Sequence, residues 1–180
     1  MSRLKDLYQE KVTAELSQTL GRSNVLSLPT LEKIVVNMGV GRFKDDARYL
    51  EEASQELALI TGQKPALRRS RKAISGFKLR RGEPVGLMVT LRGERMWSFF
   101  DKLVSVVLPR LRDFRGVQRE SFDGEGNYSL GLREHGVFPD LDPNKISRIK
   151  SLMVTVVTTA RDKKEAALLL EKLGLPFTKN

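Results

Sequence analysis

Residues 64–91 read KPALRRSRKAISGFKLRRGEPVGLMVTL. The end of this stretch alternates. Val85, Leu87, Val89 and Leu91 fall on one face of an extended chain, and Gly86, Met88, Thr90 and Arg92 on the other. That period predicts a strand over 85–92. Residues 64–70 predict a second strand, and the twelve residues Arg71–Gly82 lie between the two. Twelve residues is long for a hairpin connection, and connections of that length are usually functional or disordered. Five like charges there, Arg71, Lys72, Lys78, Arg80 and Arg81, repel one another. The tip is therefore expected to move in the free protein and to settle on a polyanion.

The flanking sequence supplies the remaining layers. Leu4, Leu7, Tyr8, Val12, Leu16 and Leu20 recur at helical spacing and predict a helix over 3–20. A strand is predicted at 31–38, with Ile34, Val36 and Met38 opposite Lys33, Val35 and Asn37. Helices follow at 46–61, closed by Gly62, and at 94–108, ended near Pro109. A short strand at 128–132, a strong one at 152–160 (LMVTVVTTA) and a helix at 163–173 complete the chain. The elements mix without a regular βαβ alternation. The expected fold class is α+β, a mostly antiparallel sheet covered by helices, with a long basic loop. One domain is expected over residues 1–180. Leu152, Val154 and Val156 oppose Met153, Thr155, Val157 and Thr159, so this strand also has a small, hydroxylated second face. Such a face suits solvent, and it equally suits a nucleic-acid backbone.

Charge narrows the partner. The chain carries 32 basic and 22 acidic residues, a net of +10, which points to nucleic acid or an anionic surface. Residues 64–81 hold eight basic residues and no acidic one, so the rest of the chain is close to neutral. A solvated surface would intersperse both signs. A cluster of this kind matches the neutralisation of several phosphates. A weaker basic stretch, 110–119, also holds Phe114 and Gly116. The chain has no cysteine, which excludes thiolate zinc sites, disulfides and thiol catalysis. Its apolar runs are too short to span a bilayer, and the first twenty residues lack a signal-peptide core. A cytoplasmic location without membrane contact is expected.

Three patterns resemble known sites and fall short. GVGRFK (39–44) has Lys44 where a dinucleotide fingerprint needs its third glycine. Asp123, Glu125, Asn127 and Glu134 have calcium-loop spacing, but Tyr128 stands where the sharp turn needs glycine. His135 is the only histidine, nothing near it suggests a triad, and it reads as an ordinary loop residue. No pair of carboxylates suggests acid–base chemistry. No enzyme, metal site or cofactor is expected.

KIVVNMGVG (33–41), ITGQKPALRRSRKAISGFKLRRG (60–82), VTLRGERMWSFFDKL (89–103), LPRLRDFRG (108–116) and SFDGEGNYSLGLRE (121–134) together resemble the large-subunit ribosomal protein family numbered five, bacterial type. The likeness runs from about residue 2 to residue 178. It implies an RNA-binding α+β fold in the central protuberance. The partners it implies are 5S rRNA, 23S rRNA, peptidyl-site tRNA, small-subunit ribosomal protein thirteen and neighbouring large-subunit proteins. It places 5S rRNA contacts on Asn37, Gln63 and Thr90, with Gly39, Lys64, Arg92 and Gly93 around them. It assigns the tRNA and rRNA loop to Arg68, Arg69, Arg71, Lys72, Ser75, Gly76, Phe77, Lys78, Arg80 and Arg81. Arg110, Arg112, Arg133 and His135 would lie toward the intersubunit bridge. The chain departs from the family at His135-Gly136, where glutamine and a branched apolar residue are usual. A free single-strand RNA-binding module is the competing function. Such modules stack bases on strand aromatics, and the strands at 31–38, 85–92 and 152–160 have none.

Overall fold

A computed structural model describes residues 2–43, 45–112 and 114–178. Lys44 of the GVGRFK turn and Asp113 of the second basic stretch lie outside the described residues. Among those described, five strands form one antiparallel sheet. They are β1 (Leu31–Gly39), β2 (Ala66–Arg69), β3 (Pro84–Leu91), β4 (Tyr128–Leu132) and β5 (Leu152–Thr158), in the order β2-β3-β1-β5-β4. The helices are α1 (Arg3–Leu7), α2 (Thr13–Leu20), α3 (Ala47–Thr61), α4 (Gly93–Lys102), α5 (Leu108–Arg110) and α6 (Lys163–Lys172). The fold class is α+β, as the alternating strands and periodic helices predict. The chain divides into two compact units. One comprises Met1–Ile34, Leu91–Leu130 and Thr155–Asn180, and the other Val35–Thr90 and Gly131–Val154.

The first unit buries Leu4, Val12, Leu16, Trp97, Phe100, Leu103, Tyr128 and Leu169. Its helices are not regular throughout. Tyr8–Val12 forms a wide turn between α1 and α2, in which the Thr13 N–H reaches back to the Tyr8 carbonyl. The Thr13 hydroxyl sits 2.6 Å from the Gln9 carbonyl and 2.9 Å from that of Tyr8, so it satisfies an acceptor the widening leaves open. A second wide turn, Leu103–Val107, precedes Pro109. Proline has no N–H and its ring strikes the carbonyl four residues back. The widened turn relieves that conflict, so the helical path continues to Arg110 rather than stopping at the proline. Near the end of the chain, Val117 N–H donates to the Pro176 carbonyl (2.8 Å) and Thr178 N–H to the Val117 carbonyl (3.0 Å). Gly116 (φ +102°) makes that approach possible. A Cβ there would lie 2.7 Å from the Thr178 nitrogen.

The second unit buries Val36, Met38, Leu87, Val89, Leu152 and Val154 from its strands, and Tyr49, Ala53, Leu57 and Ile60 from α3. Asp46 caps α3 by accepting the Tyr49 N–H at 3.1 Å. Gly62, in the left-handed region, ends it and turns the chain toward β2. One expectation is corrected here. Val85 does not join the buried face of β3 and is only half-buried. The register opposite β2 pairs Arg68 with Gly86 and Arg69 with Pro84, and Val85 is the residue skipped.

Candidate nucleic-acid interface

The open face of the sheet within the second unit begins at β1. Its buried residues alternate with Val35, Asn37 and Gly39, which face outward. On β3, Met88 and Thr90 share the outward parity with Gly86. Across β2, Ala66 pairs with Met88 and Arg68 with Gly86, so the Arg68 side chain belongs to the same face. The Arg68 guanidinium lies 3.7 Å from the Met88 sulfur. All four β2 residues are exposed. A shallow groove on this unit is lined by Asn37, Gly39, Gly131, Arg133, Ser151 and Met153. Gly39 and Gly131 have no heavy atom near a would-be Cβ, so a backbone from outside meets only main chain there.

Gln63 and Thr90 are brought together. The Gln63 amide Nε2 donates to the Thr90 carbonyl at 3.4 Å. The Thr61 hydroxyl, 3.1 Å from the Gln63 carbonyl, secures the same corner. The αL cap at Gly62 therefore aims Gln63 at β3. It ties the Gln63 amide to the β3 backbone at Thr90, and amide and hydroxyl groups such as those of Gln63 and Thr90 can each donate and accept hydrogen bonds. Asn37 is half-buried on the open face and Lys64 is exposed. Arg92 and Gly93, both exposed, begin the chain's return to the first unit.

The basic loop is a finger with its own hydrogen bonds. Its base is closed by Ser70 N–H to the Glu83 carbonyl (2.8 Å) and Gly82 N–H to the Ser70 carbonyl (2.9 Å). The Arg69 guanidinium adds a bond to the Gly82 carbonyl at 2.9 Å. Farther out, Ile74 and Leu79 exchange both backbone bonds, 2.9 and 3.1 Å, around the turn Ser75–Phe77. Lys78 closes that turn at φ +49°, a strained conformation for a side chain of its size. Phe77 is 80% exposed at the tip, with Ile74 beside it 46% exposed. Arg68, Arg69, Arg71, Lys72, Lys78, Arg80 and Arg81 are all exposed, as are Ser75 and Gly76. An acid also stands at the finger's base, where the Glu83 carboxylate accepts the Arg80 backbone N–H at 2.8 Å.

The residues expected toward the bridge are drawn from both units. Arg110 and Arg112 are exposed in the first unit, and Arg133 is exposed in the second. His135 is corrected on two counts. It is not an ordinary loop residue, and it has no surface to offer a partner, being fully buried. Its Nε2 lies 3.0 Å from Glu56 Oε2, and its Nδ1 is 3.2 Å from the Lys150 backbone nitrogen. The Lys150 ammonium reaches the same Glu56 oxygen at 2.6 Å and is itself buried. Burial holds the His135 pKa below its ordinary value. Glu56 opposes that shift and the positive charge of Lys150 adds to it. Sequence reading misses Glu56 and Lys150. A signal exists, since Glu56 falls at helical spacing with the buried Tyr49, Ala53 and Ile60 of α3.

Asp123 commits its oxygens to its own turn, accepting Glu125 N–H at 2.9 Å, Asn127 N–H at 2.8 Å and the Asn127 side-chain amide at 2.8 Å. The calcium-like spacing is an Asx turn.

Known proteins match the chain along its length. Residues 24–80 match the family model described as ribosomal protein L5, and residues 84–177 match the model of the same ribosomal family's C-terminus. The large ribosomal subunit protein uL5 of Rubrobacter xylanophilus is 54% identical over 180 residues, all of both chains. Its counterpart in Thermus thermophilus is 55% identical over 176 residues, 98% of this chain and 97% of that one. The uL5 protein of Roseiflexus castenholzii is 54% identical over 175 residues, 97% of each.

Proposed function

Since this chain belongs to the ribosomal protein L5 family, we propose that it binds 5S rRNA on the open sheet face of its second unit and helps attach that RNA to the central protuberance. The chain is a structural constituent of the large ribosomal subunit and not an enzyme, is ribosome-bound in the cytoplasm, and has rRNA and ribosomal proteins as partners. The observation that carries the finer reading is the Gln63–Thr90 corner. The Gln63 amide is tied to the Thr90 carbonyl, 27 positions away, and Thr90 shares its outward parity with Asn37, which lines the glycine-floored groove. Amide and hydroxyl groups on rigid strands read shape and register. The exposed cations of β2 and the finger supply attraction.

The finger takes the second role, toward peptidyl-site tRNA and 23S rRNA. Its exposed Phe77 offers a flat apolar surface to a sugar or base, flanked by Arg71, Lys72, Lys78, Arg80 and Arg81. Arg110, Arg112 and Arg133 face the small subunit and its protein thirteen, or neighbouring large-subunit proteins, with His135 beneath the surface as a support.

The finger's base bonds at Ser70, Gly82 and Glu83 lie outside residues 73–80. Deleting 73–80 and joining the ends with a short turn therefore leaves the sheet and most 5S rRNA binding intact. Ribosomes carrying the deletion variant are expected to incorporate the protein normally and to lose peptidyl-site tRNA faster. Failed incorporation, or unchanged tRNA retention, would assign the finger to another partner.

A further inference from the structure

The loop 136–149 is closed at its base by one residue pair. His135 N–H donates to the Lys150 carbonyl at 3.0 Å, and the Lys150 N–H points back at His135 Nδ1 at 3.2 Å. A ring nitrogen that accepts an N–H carries no proton. The proton of this imidazole therefore sits on Nε2, where it is donated to Glu56 Oε2 at 3.0 Å. Both nitrogens are committed, and they are committed in the neutral form.

We propose that His135 is a proton-sensitive latch. As a neutral ring it ties the base of the 136–149 loop to α3, and protonation in place breaks the tie, so that mild acid loosens this loop. A proton added at Nδ1 would face the Lys150 N–H, donor against donor, and that bond must open. It would also set a second cation against the carboxylate oxygen that the Lys150 ammonium already holds at 2.6 Å, in a place where the ring touches no water.

The surrounding charges are identifiable. From α3 come Glu56 at the ring, Glu52 on the Ser147 hydroxyl (2.8 Å) and the Tyr49 ring 5.1 Å from the Lys150 ammonium. From the strap before β5 come Lys150 itself and Arg148. Arg148 stacks 4.4 Å over Phe43 and reaches Asp46 at 3.9 Å. Ser147 and Arg148 are thus held independently of the ring, and the latch acts on the closure between 135 and 150. Burial lowers the His135 pKa in the folded chain, Glu56 partly offsets this, and the positive charge of Lys150 reinforces it. The sign follows from linkage. The unfolded chain takes up the proton first as pH falls below about 6.5. The latch contributes in full above that value and is lost as pH drops through the window beneath it. At pH 5.5 the folded-to-unfolded ratio falls by up to about tenfold from this group alone. None of this depends on which RNA the chain binds.

His135 is the only histidine, so its ring signals in a nitrogen–proton NMR titration of the intact chain are unambiguous. The expected result is a neutral Nε2–H ring at pH 7.5, a midpoint below 6.5, and a Lys150 amide shift that follows the ring. The second arm is His135→Gln. Glutamine also offers one donor for Glu56 and one acceptor for the Lys150 N–H, but it does not titrate. Urea melts should give wild type and H135Q similar stability at pH 8. Between pH 7 and 5.5 wild type should lose up to about tenfold in its folding constant relative to H135Q. An Nδ1–H ring at neutral pH, a free-imidazole midpoint with no change at Lys150, or equal acid sensitivity of H135Q and wild type would overturn the proposal.

Discussion

Lys150→Met lowers the stability of the chain by about 3–5 kcal/mol, the usual cost of stripping one partner from a buried ion pair. The Lys150 side chain is wholly buried and Glu56 is 13% exposed. Methionine fills much of the lysine stem's volume, so the lost packing is small. What remains is a largely buried carboxylate that keeps the His135 N–H but has lost its cation. Lys150→Met/Glu56→Leu removes both charges and is expected to be less damaging than Lys150→Met alone. The double variant takes the acceptor away from His135 Nε2–H, so recovery is incomplete. Urea unfolding of wild type, each single variant and the double variant at pH 7.5 measures the coupling directly. A loss below about 1 kcal/mol for Lys150→Met would mean that the pair behaves like a surface salt bridge.

The second large effect is on RNA affinity. If about five of the clustered cations meet phosphates, binding weakens with a log–log salt slope near 4 and falls a few hundredfold between about 50 and 200 mM salt. Replacing Arg68, Arg69, Arg71, Arg80 and Arg81 by glutamine should remove most of that slope and leave a weak, nearly salt-independent affinity. The fold should tolerate this variant, because these side chains are exposed. Arg69 does bond the finger's backbone through its side chain, at the Gly82 carbonyl. The two backbone bonds of Ser70 hold the same base without it. Filter-binding titrations across a salt series check the expectation, and an unchanged slope in the variant would place the phosphates elsewhere.

Much of the fold is legible in the sequence, because its strands alternate cleanly. Ile34, Val36 and Met38, and Leu152, Val154 and Val156, are buried as their period requires. The Gly62 end of α3 also announces itself. The wide turns at Tyr8–Val12 and Leu103–Val107 do not, since the residues through them keep an apolar spacing that an ordinary helix would also give. Val85 escapes the alternation because a bulge depends on the partner strand, and the partner's register is not a local property. Of the site, Asn37, Gln63 and Thr90 rest on family resemblance, and the strand faces independently set Asn37 and Thr90 outward. That Gln63 meets Thr90 depends on the αL turn at Gly62, which links α3 to the sheet. His135 is hidden for a similar reason. Its partners, Glu56 and the Lys150 backbone, are 79 and 15 positions away, and a lone histidine in a glycine-rich stretch gives no sign of them.

If the open sheet face grips 5S rRNA by fit as well as by charge, its uncharged side chains must matter to affinity. A titration of 5S rRNA at fixed moderate salt, with wild type and with the triple variant Asn37→Ala/Gln63→Ala/Thr90→Ala, tests this most directly. Each lost hydrogen bond that leaves a buried partner unpaired costs about 1 kcal/mol or more, so the triple variant should bind at least about a hundredfold more weakly. Its thermal melt should move far less, because these residues are only half-buried and the Gln63–Thr90 bond is long at 3.4 Å. Equal affinity of the triple variant and wild type, with an intact melt, would contradict a grip by fit.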